Sequence, residues 1–311
     1  MPTDASAEGA SPERERSEAR EEAEGRIPYR GFHTWYREAG TTEVGKLPAL
    51  CLHGGPGGAH DYIEPLFGLA DTGRRTVLYD QIGCGQSATP PQALDWTVEL
   101  FVEEVGAVRE ALGLDRIHLF GNSWGGMLAM EYALTQPAGL ASLVLASSPA
   151  SIPRWIEETA NLRARLPQDV QDTLARHEEA GTIHDAEYTA ACTVFYERHV
   201  CRVVPFPEYV QRTFDQIGEV YETMNGPSEF HVVGTLKDWS VVDRLPEIRV
   251  PTLVVTGERD EATPAINHTV SEGIPGAESV ILAGCSHMAH VEQTQEYLAL
   301  LDNFFSRVEA A

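Results

Sequence analysis

Short apolar runs, several of them ending in glycine, recur along the chain. FHTWYRE (32–38) alternates apolar and polar positions, as a strand with one covered face does. LPALCLHGG (47–55), RTVLYDQ (75–81), RIHLFGNS (116–123) and LASLVLASS (140–148) carry continuous apolar stretches instead, the pattern of strands covered on both faces. Between them, TVELFVEEVGAVREALGL (97–114) and WGGMLAMEYALTQP (124–137) space their apolar residues for helices, stopped at Gly113 and Pro137. This strand–helix–strand alternation predicts an α/β fold with a mostly parallel sheet and helices on both of its faces.

The rhythm breaks after about residue 150. Residues 151–240 read as helical, with several prolines and many aromatics and no clear strand run. Strand patterns return in VPTLVVTGERD (250–260) and ESVILAGCSH (278–287), and QTQEYLALLDNFFSRV (293–308) closes the chain as an amphipathic helix. At the other end, SPERERSEAREEAEGR (11–26) alternates charges and offers almost nothing to bury. The expected organisation is a disordered acidic tail over 1–26, an α/β core over 27–150 and 241–311, and a helical cap over 151–240.

Charge narrows the partners. The chain has 47 acidic and 23 basic residues, a net charge of −24. Phosphate backbones and anionic lipid surfaces are bound by clustered Lys and Arg, so neither nucleic acid nor a membrane is expected. No run of apolar residues is long enough to span a bilayer. Residues 4–26 hold eight acids and four arginines, which is no secretory leader. The five cysteines (Cys51, Cys84, Cys192, Cys201, Cys285) are odd in number and scattered, which points to free thiols in a reducing compartment, the cytoplasm. The chain lacks a P-loop, an H-E-x-x-H and a G-x-G-x-x-G, so neither a cofactor nor a metal is expected. The oligomeric state stays open, and a monomer suffices for this reading.

The chemistry-bearing residues sit where strands end. Gly121-Asn122-Ser123-Trp124-Gly125 matches G-x-S-x-G at the junction of a strand and a helix. Such a turn lifts the serine hydroxyl above the sheet, beside the positive end of the following helix. His53-Gly54-Gly55-Pro56-Gly57-Gly58 follows an earlier strand. In this layout two backbone amides face the developing oxyanion: that of Trp124, and one from the glycine loop, Gly55 or else Gly54. His53 is expected to shape that loop. The serine needs a base and the base an orienting acid, in the order Ser, Asp or Glu, His. Asp260 and His287 directly follow the last two strand patterns and fit; His290 is the competing base. Histidines at 177, 184, 199 and 231 fall in the cap and are expected to be structural or superficial. Cys84 and Cys285 stand near these motifs, either as blockable thiols beside the site or as buried inert ones. A dehalogenase or epoxide hydrolase would need an aspartate where Ser123 stands.

HGGPGG, DQIGCGQS (80–87), GNSWGG, GERDEATP (257–264) and GCSHMAH (284–290) together resemble the proline iminopeptidases, and most of all the archaeal tricorn-interacting aminopeptidases among them. The resemblance covers residues 27–308. It implies an α/β-hydrolase fold with a mostly parallel eight-stranded sheet, flanking helices and an inserted helical lid. It implies a serine aminopeptidase that releases an N-terminal residue from short peptides or amino-acid amides. It also implies two glutamates that hold the substrate amine, Glu261 after the triad aspartate and Glu229 in NGPSEF (225–230). The chain has Ile82 where many strict members carry arginine, and GNSWGG where they carry GGSWGS. That implies the broader-specificity branch, with hydrophobic residues besides proline accepted. The alternatives are an esterase or amidase acting on a small molecule, and a hydrolase-fold protein that binds without catalysis.

Overall fold

The computed structural model describes residues 21–311. Eight strands form one sheet in the order β1-β2-β4-β3-β5-β6-β7-β8. They are β1 (Glu22–Tyr29), β2 (Phe32–Ala39), β3 (Ala49–Leu52), β4 (Thr76–Tyr79), β5 (Ile117–Asn122), β6 (Leu140–Ala146), β7 (Thr252–Gly257) and β8 (Glu278–Leu282). The hairpin β1–β2 and the pair β2–β4 are antiparallel; all other neighbours are parallel. The eight-stranded, mostly parallel sheet expected from the resemblance is therefore what the chain forms.

The continuous apolar runs are explained by burial on both sides. Leu50, Leu52, Val77, Leu119, Leu143 and Leu145 point into one apolar cluster, while Ala49, Cys51, Leu78, Phe120, Val144 and Ala146 point into the other. Helix α1 (Val98–Ala111), capped by the Thr97 side chain, and helix α2 (Trp124–Leu134) complete the first cluster. A 3-10 segment at His60–Thr72 and the closing helix at Thr294–Glu309 complete the second.

One boundary differs from expectation. The sheet begins at Glu22, inside the stretch assigned to the acidic tail, and folded structure therefore precedes Ile27. Strand β1 lies on the sheet edge with Ile27 its one buried residue, so it carries almost no apolar signal. Its register is set by the turn at Arg30 and Gly31, both at positive φ (49° and 84°), as a two-residue hairpin turn requires. The remainder of the tail, residues 1–20, lies outside the described residues.

Between β6 and β7 the chain inserts five α-helices: α3 (Ile152–Arg163), α4 (Gln168–Ala180), α5 (Ala186–His199), α6 (Glu208–Asp215) and α7 (Glu219–Met224). The first three share a small core of their own, built on Leu162, Leu174, Tyr188 and Phe195 with Phe230, while Val210 of α6 and Val220 and Met224 of α7 pack into the two sheet clusters. Helix α8 (Pro264–Gly273) follows β7. No helix among the described residues is long and apolar enough to cross a membrane.

Candidate active site

Ser123, Asp260 and His287 come from three segments that leave the sheet at the same end, after the carboxyl ends of β5, β7 and β8. In an open parallel sheet that rim is where ligand crevices form. The elbow is built by close backbone packing. A Cβ on Gly121 would stand 2.1 Å from the Gly125 carbonyl oxygen, and one on Gly125 would stand 2.3 Å from that of Leu52. Ser123 itself has φ 56° and ψ −123°, a conformation costly for a non-glycine residue. Its amide is held by the Ala146 carbonyl at 2.9 Å, which ties the strained turn to the neighbouring strand.

His287 Nδ1 donates to Asp260 Oδ1 at 2.8 Å. Asp260 is buried and also accepts from the Ala262 amide (2.7 Å) and the Thr256 hydroxyl (3.0 Å), so its orientation is fixed. Burial pulls the His287 pKa down, but the Asp260 charge and hydrogen bond, with Glu229 and Glu292, outweigh it and the net shift is upward. Trp155 of α3 meets the His287 ring edge-on at 6.1 Å between centroids. His290, the competing base, turns elsewhere: its Nε2 pairs with the Tyr62 carbonyl at 3.0 Å, and burial lowers its pKa to about 3. The competition between the two histidines is thus decided by which one reaches Asp260.

The glycine loop is held by a polar relay. His53 Nε2 accepts from the Gln81 amide (3.0 Å), which leaves Nδ1 to donate to the Gly54 carbonyl (2.9 Å). Gln81 donates to the His53 carbonyl (2.8 Å) and accepts from the Trp124 indole (2.7 Å). His53 thus braces the loop, as its position suggests. The Gly54 amide donates to the Tyr62 hydroxyl at 2.7 Å, and that hydroxyl donates to Asn122 at 2.6 Å. The Gly54 amide is thereby engaged, which favours Gly55 of the two loop amides expected to face an oxyanion. Gly55, Trp124 and Ser123 line one small cavity together with Trp155, Ile152 and Leu236.

A second cavity, of about 40 Å³, is lined by Gly55, Ser123, His287, Glu229 and Glu261. Both glutamates are therefore brought to the serine. Glu229 accepts from the Tyr221 hydroxyl at 2.7 Å, and its own carbonyl accepts from the Trp155 indole at 2.7 Å. Glu261 is fully buried, and neither of its carboxylate oxygens has a hydrogen-bond partner. Desolvation, then the nearby Glu229 and Asp260 charges, push the Glu261 pKa well above the usual carboxylate range. Desolvation raises Glu229 as well. A buried carboxylate without a donor is costly unless it is protonated or meets a cation.

Tyr62, Gln81, Trp155 and Tyr221 were not singled out by the sequence. An aromatic or a glutamine has no motif spacing to betray it, although Gln81 lies within DQIGCGQS. His199, expected to be structural or superficial, has a structural part here: its carbonyl accepts the amides of both Glu261 (3.2 Å) and His287 (3.1 Å). All five cysteines are free and buried, and neither Cys84 nor Cys285 lines the two cavities at Ser123. Burial raises both thiols, Cys285 to about 11. Two groups of metal-type donors occur among the described residues, His60/Asp61/Glu64 and His177/Asp185/Glu187. In the first, His60 is taken by Asp80 and Asp61 by Arg212; in the second, Glu187 is taken by Arg176.

A family model described as the alpha/beta hydrolase fold matches residues 48–294. The chain is 40% identical over 262 residues to a proline iminopeptidase of Saccharolobus solfataricus, covering 83% of this chain and 84% of that one. It is 38% identical over 288 residues to the proline iminopeptidase of Lactobacillus helveticus, covering 91% and 98%. Among solved structures it superposes on a proline iminopeptidase from Mycobacterium smegmatis with a TM-score of 0.86 at 45% identity, over 93% of this chain and 99% of that one. It superposes on VinJ with a TM-score of 0.89 at 44% identity, over 92% and 99%. These relatives do not single out the tricorn-interacting branch.

Proposed function

This chain belongs to the proline iminopeptidase family of the alpha/beta hydrolase fold, and from that premise we propose that it is a serine aminopeptidase that releases an N-terminal residue, proline foremost, from short peptides or amino-acid amides. His287, oriented by Asp260, takes the proton of Ser123 as the hydroxyl attacks the carbonyl of the first residue. The Gly55 and Trp124 amides receive the oxyanion. His287 then protonates the leaving amine, and water admitted in its place hydrolyses the acyl-enzyme.

The observation that carries this reading is Glu261, buried and without a donor beside Glu229 in the cavity that holds Ser123. An ester or a blocked amide would leave that cost standing. A substrate ammonium removes it, because it supplies charge-assisted hydrogen bonds to both carboxylates. In the free enzyme the raised pKa of each glutamate favours a proton on the pair; an arriving ammonium restores the charged form and expels that proton. The amine anchor also sets the cleavage point, since a cation held at a fixed distance from Ser123 presents only the first carbonyl to the hydroxyl.

The helices between β6 and β7 act as a cap over this site, contributing Trp155, Tyr221 and Glu229 to it. With Glu229 inside the inserted segment, amine recognition depends on the cap being seated. The five free thiols suit a reducing, cytoplasmic setting. The test is a panel of aminoacyl-naphthylamides, proline included, beside the same compounds acetylated at nitrogen. Turnover confined to the free amines supports the reading. Equal turnover of acetylated substrates replaces it with the esterase or amidase alternative.

A further inference from the structure

A further cavity opens beside the segments that carry His199 and Asp260. It measures about 720 Å³ and is lined by Arg165, Arg198, Arg202 and Arg259 among others. In a chain of net charge −24, many arginines are drawn into ion pairs, as Arg37, Arg74, Arg75, Arg154 and Arg163 are. Among the described residues, none of the four arginines of this cavity has a carboxylate within ion-pair reach, and only Arg202 has a partner for its side chain, the Gly284 carbonyl.

Carboxylates share the lining, but most are committed elsewhere. Glu158 is held by Arg154 (3.0 Å) and the Thr263 hydroxyl (2.7 Å), Glu258 by the Gly284 amide (2.9 Å), and Asp260 by His287 (2.8 Å). Glu197 is exposed at the rim. His199 lies in the same lining; burial lowers its pKa, opposed by the hydrogen bond to the Arg259 carbonyl and the Asp260 charge and aided by Arg198 and Arg165. A guanidinium with no carboxylate in ion-pair contact keeps its donors free, and an anion with several charged oxygens can take forked hydrogen bonds from them.

The two cavities are lined by neighbouring residues of the same segments. His199, Arg259 and Asp260 face the arginine side; Val200, Glu261 and His287 face Ser123. These segments are tied together at His199, whose carbonyl takes the Glu261 and His287 amides and whose Nδ1 pairs with the Arg259 carbonyl at 2.9 Å. A ligand that draws in Arg198 and Arg259 therefore acts on the residues flanking and bonded to His199. We propose that this cavity is an effector site for a small polyvalent anion bearing phosphate or carboxylate groups, coupled through His199 to the catalytic histidine and the amine-binding glutamate.

The test uses the full chain and two probes, orthophosphate and citrate, titrated calorimetrically at an ionic strength held constant with sodium chloride. Saturable binding is expected for at least one probe, weakened at least about tenfold in Arg165→Ala/Arg198→Ala/Arg259→Ala, since several charge-assisted bonds are lost. The three side chains are exposed, so the variant should melt with the wild type, and Arg198→Ala alone should give an intermediate loss. Tighter phosphate binding identifies a phosphate-bearing effector and tighter citrate binding a polycarboxylate. No saturable binding of either probe, or binding unchanged in the triple variant, overturns the site. In the second arm, a saturating probe is expected to change kcat or KM on prolyl-naphthylamide at least about twofold in the wild type and not in the variant, a coupling of the size common in allostery. Binding without any kinetic change overturns the coupling. Because the first arm reads heat and not turnover, its outcome is independent of the aminopeptidase reading, which the coupling alone rests on.

Discussion

Replacing Glu261 by glutamine separates amine recognition from acyl transfer. The side chain is fully buried, its oxygens have no donor, and it lines the cavity of Ser123. A hydrogen bond to a charged group is worth about 1.5–3 kcal/mol, and each ~1.4 kcal/mol is a factor of ten in rate. Glu261→Gln should therefore lower kcat/KM for prolyl-naphthylamide by roughly 10- to 150-fold. Hydrolysis of p-nitrophenyl acetate, which has no ammonium, should change by less than about twofold, because glutamine keeps the volume of the site. Parallel initial-rate measurements on the two substrates decide the matter. An equal loss on both would mean that Glu261 supports the triad, whose His287 Nδ1 lies 3.7 Å away, and not the amine. Stability gives a second reading of the same group. Its folded pKa is raised, so the native state holds a proton that the unfolded chain has already released above about pH 4.3. The wild type should therefore lose stability as pH rises through that window, and glutamine, which does not titrate, should melt higher by a margin that grows with pH. A margin that shrinks with pH contradicts the argument.

Four further outcomes are expected. Ser123→Ala should leave the fold intact and lower turnover by a factor on the order of 10⁴ or more; near-wild-type rates on prolyl-naphthylamide would remove the serine from the mechanism. His287 must be neutral to act, and its pKa is raised, so the acidic limb of kcat/KM should have its midpoint above about pH 6.5; in Asp260→Asn it should move to lower pH while the rate falls by roughly 10⁴, and an upward move refutes the assignment. Glu104 is buried under the Ile82 amide with its pKa raised to about 8, so stability should fall between about pH 4.5 and that value, and Glu104→Gln should flatten this part of the melting-temperature profile. Iodoacetamide should not inactivate the native enzyme, because Cys84 and Cys285 are buried with raised thiol pKa values; rapid inactivation would place a reactive thiol at the site after all.

What was legible in the sequence followed from period and from punctuation. Continuous apolar runs read as strands because the central sheet is covered on both faces, and β3 to β8 lie within the runs that announce them. The edge strand β1 escaped because an exposed hairpin with one buried residue has no hydrophobic pattern to display; the Arg30-Gly31 turn was its one local sign. Ser123, Asp260 and His287 were legible because each must stand just past a strand end, and a strand followed by a glycine or a turn marks that place. Tyr62, Trp155 and Tyr221 were not, since no motif spacing marks them and each is defined only by what it touches in the folded chain.

The sequence alone determined the parallel sheet, the elbow serine, and the order of acid and base behind it, since these are consequences of local period and of turn chemistry. Tertiary structure decided between partners of equal local merit. It gave the Asp260 carboxylate to His287 and left His290 against a backbone carbonyl; it engaged the Gly54 amide with the Tyr62 hydroxyl, which favours Gly55 as the proposed oxyanion donor. It also set Glu261 without a donor beside Glu229 and gathered four arginines around one cavity. A side chain's charge state and role depend on the groups within a few ångströms of it, and that neighbourhood exists only once distant segments have packed together.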